Sequence, residues 1–468
     1  MVASEASPFY TMSGLANAVG SLAAALVEQG QQVDVILPLY ETARPDKADK
    51  LDEFLLSVGQ SQYQVSVLGI RTRGVRYLLL DVPRLFDQRS IYGQEEGDRK
   101  DNGIRFGVFC RAVVETITRR TSQPRVVHCH DWQTGLTPLM LKLHARHEPD
   151  IVKAKTVFTV HDLAAQGRFD KFVLPALGLD WSLFNPEQLE FWGDINFLKA
   201  GLVFSDLITV ASPRYAKDIQ TSEWGCGLDG VLRTRKANLV GVLDGVDYEI
   251  WNPAKDSHIA QAYSATDLTG KPACKHDLLQ NFWFAGDPLV PTIGVVARFD
   301  DAAAVDFIHG SAEVLLADNA RLVVHGSGDS DLEGRLTQLA KTYPQNIAVV
   351  LGFNEVLTHR IHAGADMLLF PERHQPCGLG QFRALRYATI PIISATNSAD
   401  TGVADEAGFK FDDYTVQALC QTIHEACTAY HERPYHWRRM MIRAMQQDFS
   451  WGRRASEYSQ AYAQQPPS

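Results

Sequence analysis

Short, unbroken runs of aliphatic residues recur along this chain, and most of them end in a polar, often glycine-bearing cluster. In the first half the strand candidates are 32–37 with its core VDVIL, 64–68, 77–80, 125–128, 156–160 and 207–210. In the second half they are 292–297, 321–325, 348–351, 367–370 and 390–393. Helix-length segments separate most of them, among them 21–30 and 104–119. A strand that is apolar throughout has to be covered on both faces, so continuous runs indicate parallel sheets flanked by helices. Two such series predict an α/β chain of two doubly wound Rossmann-like domains facing a cleft. In open sheets of this kind a ligand lies beyond the carboxyl ends of the strands, which is where the polar clusters fall.

The chain has 468 residues, a length that suits two or three domains. The boundary is expected between Gly245 and about Asp287, marked by Asn252-Pro253 and the polar run through Gly270. We therefore expect a first domain over 1–250, a second over 251–450, and a tail, 451–468. In the tail a helix over about 454–462 packs back on the first domain and AQQPPS frays. Met1-Val2-Ala3-Ser4 reads as the end of a first β-strand, which is either shortened or continued upstream.

The formal net charge is -10 with no basic block, which disfavours nonspecific nucleic-acid binding. Seven scattered cysteines without a CxxC argue against a disulfide framework or thiolate metal site and fit a reducing cytoplasm. No apolar segment reaches membrane-spanning length, and no basic-then-apolar leader opens the chain. No metal-ligand set is legible.

Several clusters could carry chemistry. Ser13-Gly14, with Gly20, precedes the first helix and either brings backbone amides to an anion or forms a plain turn. HDWQTG follows the strand at 125–128. There Asp131 either caps the next helix or, with His130, lines a sugar pocket. In HDL, at 161–163, His161 either donates to a sugar hydroxyl or is a satisfied loop histidine. TSEWGCGLDGVL (221–232) reads as an ordered loop entering a short helix. Asp244 and Asp247 are ligand, hinge or turn residues. Arg298 ends a strand, where its planar fork suits a diphosphate or makes a surface ion pair. The acids Asp300 and Asp301 after it would repel a diphosphate if they faced it. Gly326 opens GSGD at another strand end, for a phosphate, a sugar or a turn. Cys377, Gly378, Leu379 and Gly380 sit at a helix start where amides favour phosphate or hydroxyls. No base partners Cys377, so it reads as a buried small residue rather than a nucleophile.

Together SEASPF, SGLAN, HDWQTG, INFLKAGLVFSD, EWGCGLDGVL, DGVDYEIWNP, GSGD, HRIHAGADMLLFPERHQPCGLGQ and ALRYATIP resemble the bacterial glycogen synthase and plant starch synthase family, glycosyltransferase family 5. The resemblance covers about residues 2–460. It implies the GT-B fold, with an acceptor-side first domain and a nucleotide-sugar-side second domain. It also implies retaining transfer of glucose from ADP-glucose to the non-reducing end of an α-1,4-glucan. The implied partners are a nucleotide sugar and an α-glucan, with no nucleic acid, membrane or cofactor. By motif match, His161 lies near the reacting sugar and Arg298 on the diphosphate. Ser13, Gly14, Gly326, Cys377, Gly378, Leu379 and Gly380 lie around the donor. His130, Asp131, Asp162 and Asp244 lie on the acceptor side.

The chain departs from the family pattern at several of these places. Thr11, Ser13 and Asn17 stand where KTGGLAD has lysine, glycine and aspartate. Ala302-Ala303-Ala304 stands for a QKG triplet. Gln375 replaces the glutamate under the donor sugar and Gly380 a threonine. Asp162 and Asp244 replace asparagines, and Thr396-Asn397-Ser398-Ala399 replaces TGGL. Three readings follow: a glycogen synthase, a catalytically impaired or non-catalytic glucan-binding homologue, and a transferase with another donor.

Overall fold

The computed structural model describes all residues except 87–91, 95, 96, 99, 121–123, 148–152, 283, 285–288, 374–377, 396–406 and 465–468. The chain divides into two compact units: Met1–Gly245 with Trp451–Ser468, and Val246–Ser450.

In the first unit, one four-stranded sheet runs Leu239–Gly241, Leu207–Val210, Lys155–Val160, Val126–His130, all parallel. A second runs Asp34–Pro38, Val75–Asp81, Ser61–Thr72, Asp49–Val58. Val2 stitches the two together, bridging Cys129 on one side and Ile36 on the other in parallel register. Its N–H donates to the His128 carbonyl at 2.7 Å, and its own carbonyl accepts from His130 N at 3.1 Å. Met1 and Ala3 bond Ile36 at 2.8 and 3.2 Å. Val2 thus occupies the central strand position, and the chain after it delivers Ser4 and Glu5 to the carboxyl end of that position. Counted from Val2, the parallel strands lie in the order 3-2-1-4-5-6-7. The connections reverse direction between Val2 and Val126–His130, the switch point at which doubly wound folds bind ligands.

Two expectations change here. The first helix spans Gly14–Glu28 rather than 21–30. Its start is set by Ser13, whose Oγ accepts from Leu15 N at 3.2 Å, and by Glu5, which holds Ser13 from the end of the preceding segment. Gly20 lies inside the helix, at a place where a Cβ would meet Ser7 Oγ at 2.5 Å. Second, Asp49–Val58 is an antiparallel strand paired with Ser61–Thr72, which pairs antiparallel with Val75–Asp81. Only Phe54, Leu56 and Val58 of that strand face inward, and the charges at its start mask the alternation.

Helices Asn102–Thr118, Leu136–His147 and Phe197–Phe204 cover one face through Phe106, Phe109, Leu139 and Leu198. Each such buried side chain contributes about 1.5–3 kcal/mol. Gly14–Glu28 covers the other face with Leu15, Val19 and Ala23. Its outer side packs Ala18, Leu22 and Leu26 against Trp451, Ala455 and Tyr458 of the helix Trp451–Ala463.

The second unit is built on six parallel strands in the order Ile347–Leu351, Arg321–Gly328, Thr292–Phe299, Met367–Phe370, Ile390–Ser394, Phe409–Phe411. In chain order this is 3-2-1-4-5-6, the dinucleotide-fold order, with its switch point between Thr292–Phe299 and Met367–Phe370. Two strands outrun the expected ends at 297 and 325, so Arg298 is the penultimate residue of its strand, in register with Ser327.

Candidate functional site

Glu5, His130, Asp131 and His161 lie at the carboxyl ends of the central strands of the first unit. His130 is the last strand residue, not a loop residue beyond the end, and is buried. Its Nδ1 lies 3.1 Å from His161 Nε2, and the rings stack at 5.4 Å. The His128 ring lies 4.1 Å from that of His130, tilted by 34°. His128 is itself anchored, with Nδ1 2.8 Å from the Tyr462 hydroxyl and Nε2 on Thr159 Oγ1. Asp131 does not cap a helix. Its Oδ1 accepts from His161 N at 2.7 Å, and its backbone sits at φ 56°, ψ 178°. That conformation costs a non-glycine residue about 1–3 kcal/mol and persists only where neighbours over-determine it. Those neighbours are Thr159, whose carbonyl accepts from Asp131 N at 2.9 Å, and Thr134, whose Oγ1 donates to the His130 and Asp131 carbonyls at 2.9 and 3.1 Å. Gly135 completes the turn because a Cβ there would sit 2.0 Å from the Phe197 carbonyl oxygen.

Burial governs the charges. It holds His128 and His130 well below the ordinary imidazole range, and repulsion from nearby cationic groups adds to this. His161 is half-buried, and burial lowers it too, against the opposing pull of Asp244 and Glu5. Burial pushes the Asp131 carboxyl up to about 7, with the bond from His161 N opposing and the Asp162 charge adding. Asp244 is raised chiefly by burial, with His161 opposing. The cluster at pH 7 therefore consists of neutral imidazoles beside a carboxyl near its midpoint, a set that can donate to and accept from hydroxyls at little net charge. Asp162 is exposed and accepts from Ala164 N at 2.9 Å, a turn bond. Ser13 donates Oγ to Glu5 Oε1 at 2.7 Å, and the Met12 and Ser13 amides donate to Glu5 Oε2 at 2.7 and 3.1 Å. Gly14 opens the helix at the surface, where a Cβ would meet nothing within 4 Å.

The second switch point is differently made. The Arg298 side chain is 83% exposed and donates Nε to Asp300 Oδ2 at 2.6 Å. Asp301 caps the helix Ala302–Gly310 through Ala303 N at 2.9 Å, so neither acid is an idle charge. Gly326 has φ 155°, and a Cβ there would lie 1.8 Å from the Ala297 carbonyl oxygen. Asp329 of GSGD caps Ser330–Thr342, and Gly328 N donates to Glu333 Oε1 at 2.8 Å. Gly378, at φ 61°, precedes the helix Leu379–Arg386, and Gly380 lies against the Phe370 ring. Gln375 and Cys377, and the segment 396–399, lie outside the described residues. Among the described residues no three His, Cys, Asp or Glu are grouped to hold a metal ion, and no helix is long and apolar enough to cross a membrane.

A family model described as the starch synthase catalytic domain matches residues 1–234. The glycogen synthase of Koribacter versatilis (strain Ellin345) is 38% identical over 469 residues, covering 98% of this chain and 96% of that protein. The glycogen synthase of Anaeromyxobacter sp. (strain Fw109-5) is 39% identical over 467 residues, covering 98% of each. The chain belongs to the glycogen and starch synthase family. Among solved structures, the catalytic domain of Starch Synthase IV from Arabidopsis thaliana, bound to ADP and acarbose, matches with a TM-score of 0.87 at 27% identity. That match covers 98% of this chain and 97% of that one. Family and fold together support a glycosyltransferase-type function on the GT-B fold.

Within this family member, three buried polar residues that the sequence reading did not single out join segments of the first unit. Glu5 organises the entry to the first helix and also accepts from the Tyr92 hydroxyl at 3.1 Å. Gln166 links three segments: its Oε1 accepts from Asn196 Nδ2 at 2.8 Å and its Nε2 donates to the Cys226 carbonyl at 2.9 Å. Lys199 is buried, and its Nζ donates to the Glu190 carbonyl at 2.6 Å. The signal available was a polar residue inside an otherwise apolar or glycine-rich motif, as Lys199 is in INFLKAG.

Proposed function

We propose that this chain is a glycogen synthase-type retaining glucosyltransferase that moves glucose from ADP-glucose to the non-reducing end of an α-1,4-glucan. The observation that carries the reading is end-to-end similarity, at 38–39% identity over 98% of the chain, to proteins that are themselves glycogen synthases. A structural neighbour binding ADP and acarbose supports it. On this reading His161 hydrogen-bonds the reacting sugar, Arg298 neutralises the leaving diphosphate, and Gln375 lies beneath the donor glucose. Ser13, Gly14, Gly326, Cys377, Gly378, Leu379 and Gly380 surround the donor, and His130, Asp131, Asp162 and Asp244 shape the acceptor side. The acceptor hydroxyl attacks on the face that ADP leaves, and the departing phosphate takes its proton. Positive charge and amide donors at the diphosphate stabilise the developing negative charge. Six unpaired cysteines among the described residues suit a reducing, cytoplasmic compartment.

A second reading, a glucan-binding homologue with impaired catalysis, is favoured by the state of Arg298. It is exposed and tied to Asp300, with Ala303 where the family places a lysine. The deciding experiment is transfer of labelled glucose from ADP-glucose to glycogen, run beside Arg298→Ala. Incorporation that the variant loses supports the synthase. A folded protein that binds glycogen but neither binds ADP-glucose nor incorporates glucose replaces it with the second reading. Binding of a different nucleotide sugar would instead indicate another donor.

A further inference from the structure

The hydrogen bond between the two switch-point histidines has a direction, and that direction decides what His161 offers a ligand. His130 Nδ1 and His161 Nε2 are 3.1 Å apart. Burial disfavours the charged form of both rings, so near neutrality each carries one proton, and one ring must donate while the other accepts. If His161 donated from Nε2, His130 would carry its proton on its own Nε2. That nitrogen is buried and has no hydrogen-bond partner among the described residues. A buried N–H without an acceptor is among the least tolerated groups in a folded protein, whereas a buried lone pair is tolerated better. His128, whose ring centre lies 4.1 Å from that of His130, is engaged at both nitrogens by Tyr462 and Thr159. The favoured arrangement puts the His130 proton on Nδ1, directed at His161 Nε2. His161 then carries its own proton on Nδ1. That nitrogen is not one of the buried orphans, the ring is half-buried, and the backbone N–H of the same residue donates to Asp131.

We propose that His130 is a positioning residue that locks His161 in its Nδ1–H tautomer, so that His161 presents a hydrogen-bond donor, and not a base, to an oxygen of the bound sugar. The proposal rests on the glucosyltransferase reading for its ligand but not for its test. The full chain, labelled with 15N-histidine, is probed without ligand by two-bond proton–nitrogen correlation at pH 7.5, with His161 assigned by its loss in His161→Gln. The expected result is a proton on Nδ1 and a bare Nε2. His130→Asp leaves only an acceptor facing His161 and should invert the pattern to Nε2–H. It should also lower kcat by about a hundredfold, the scale on which a positioned hydrogen-bonding group acts. His130→Asn restores a donor amide near the old Nδ1 and should return the Nδ1–H pattern, which a merely structural role for His130 would not do. A wild-type His161 protonated on Nε2, or a folded His130→Asp with an unchanged pattern, overturns the proposal. If His130→Asp does not fold, the wild-type spectrum decides alone. If the chain transfers no glucose, the proposed function falls, while the spectrum still reads the tautomer.

Discussion

The two switch points of this protein solve different problems. In the first unit His130 and Asp131 are buried, the half-buried His161 is bonded to both, and neighbours hold Asp131 in a strained backbone conformation. In the second, the candidate cation stands almost fully exposed on the surface, paired with its own neighbour Asp300. A buried network is organised before any ligand arrives, so its geometry is available at no further ordering cost. An exposed arginine has to leave a screened ion pair worth about 0–1 kcal/mol and be ordered by whatever it binds. The lesson is that two switch points of one chain can be organised to very different degrees before any ligand arrives. The cluster of the first unit is built into the fold, while the Arg298 side chain of the second is tied at the surface to its neighbour Asp300.

The largest effect is expected at His161. His161→Ala is expected to lower glucosyl transfer by about 10²–10⁴-fold, read as labelled glucose incorporated into glycogen. An unchanged rate would mean that the organised half does not act on the sugar. Next come two glycines that the resemblance treats alike. Gly326→Ala forces a Cβ to within 1.8 Å of the Ala297 oxygen and should destabilise the second unit by more than about 4 kcal/mol. Gly14→Ala meets open space at a helix start and should be neutral or slightly stabilising. Denaturant midpoints for the two variants separate a steric glycine from one kept for a ligand.

Asp131 gives a pH test. Its carboxyl is held at about 7 against an ordinary 3.8, so the folded state binds the proton more tightly than the unfolded chain. Stability from this group is full below about pH 4 and is lost as pH rises through 7. Asp131→Asn keeps an oxygen for His161 N and removes the titration. The stability gap between wild type and variant should then shift by about 2–4 kcal/mol in favour of the variant from pH 4 to 8. Parallel curves would show that the carboxyl is not strained by its burial. The smallest effect belongs to Arg298→Ala, whose stability should stay within about 0.5 kcal/mol of wild type. Any loss of transfer in that variant then reports on ligand handling alone, whereas a large drop in Tm would mean the arginine is structural.

The sequence by itself determined the α/β class, the positions of most strands and the family. Runs such as Leu207–Val210 and Met367–Phe370 are apolar on both faces, and only a covered parallel strand satisfies that pattern. It also singled out His130, Asp131 and His161, because polar residues at the ends of such runs stand where ligands bind. Tertiary structure alone decided what those residues do. No spacing rule puts His130 Nδ1 beside His161 Nε2, and no local signal shows that Asp131 turns away from its own helix to hold His161, or that Glu5 starts the first helix. The two histidine contacts join segments about thirty residues apart and are made only when strands meet at a switch point, and the Glu5 contact depends on where the chain after Val2 delivers its carboxylate. The same holds for Arg298, whose type was legible but whose exposure follows from where its strand ends. Local sequence sets which element forms; burial, pairing and protonation are set by what the other elements bring against it.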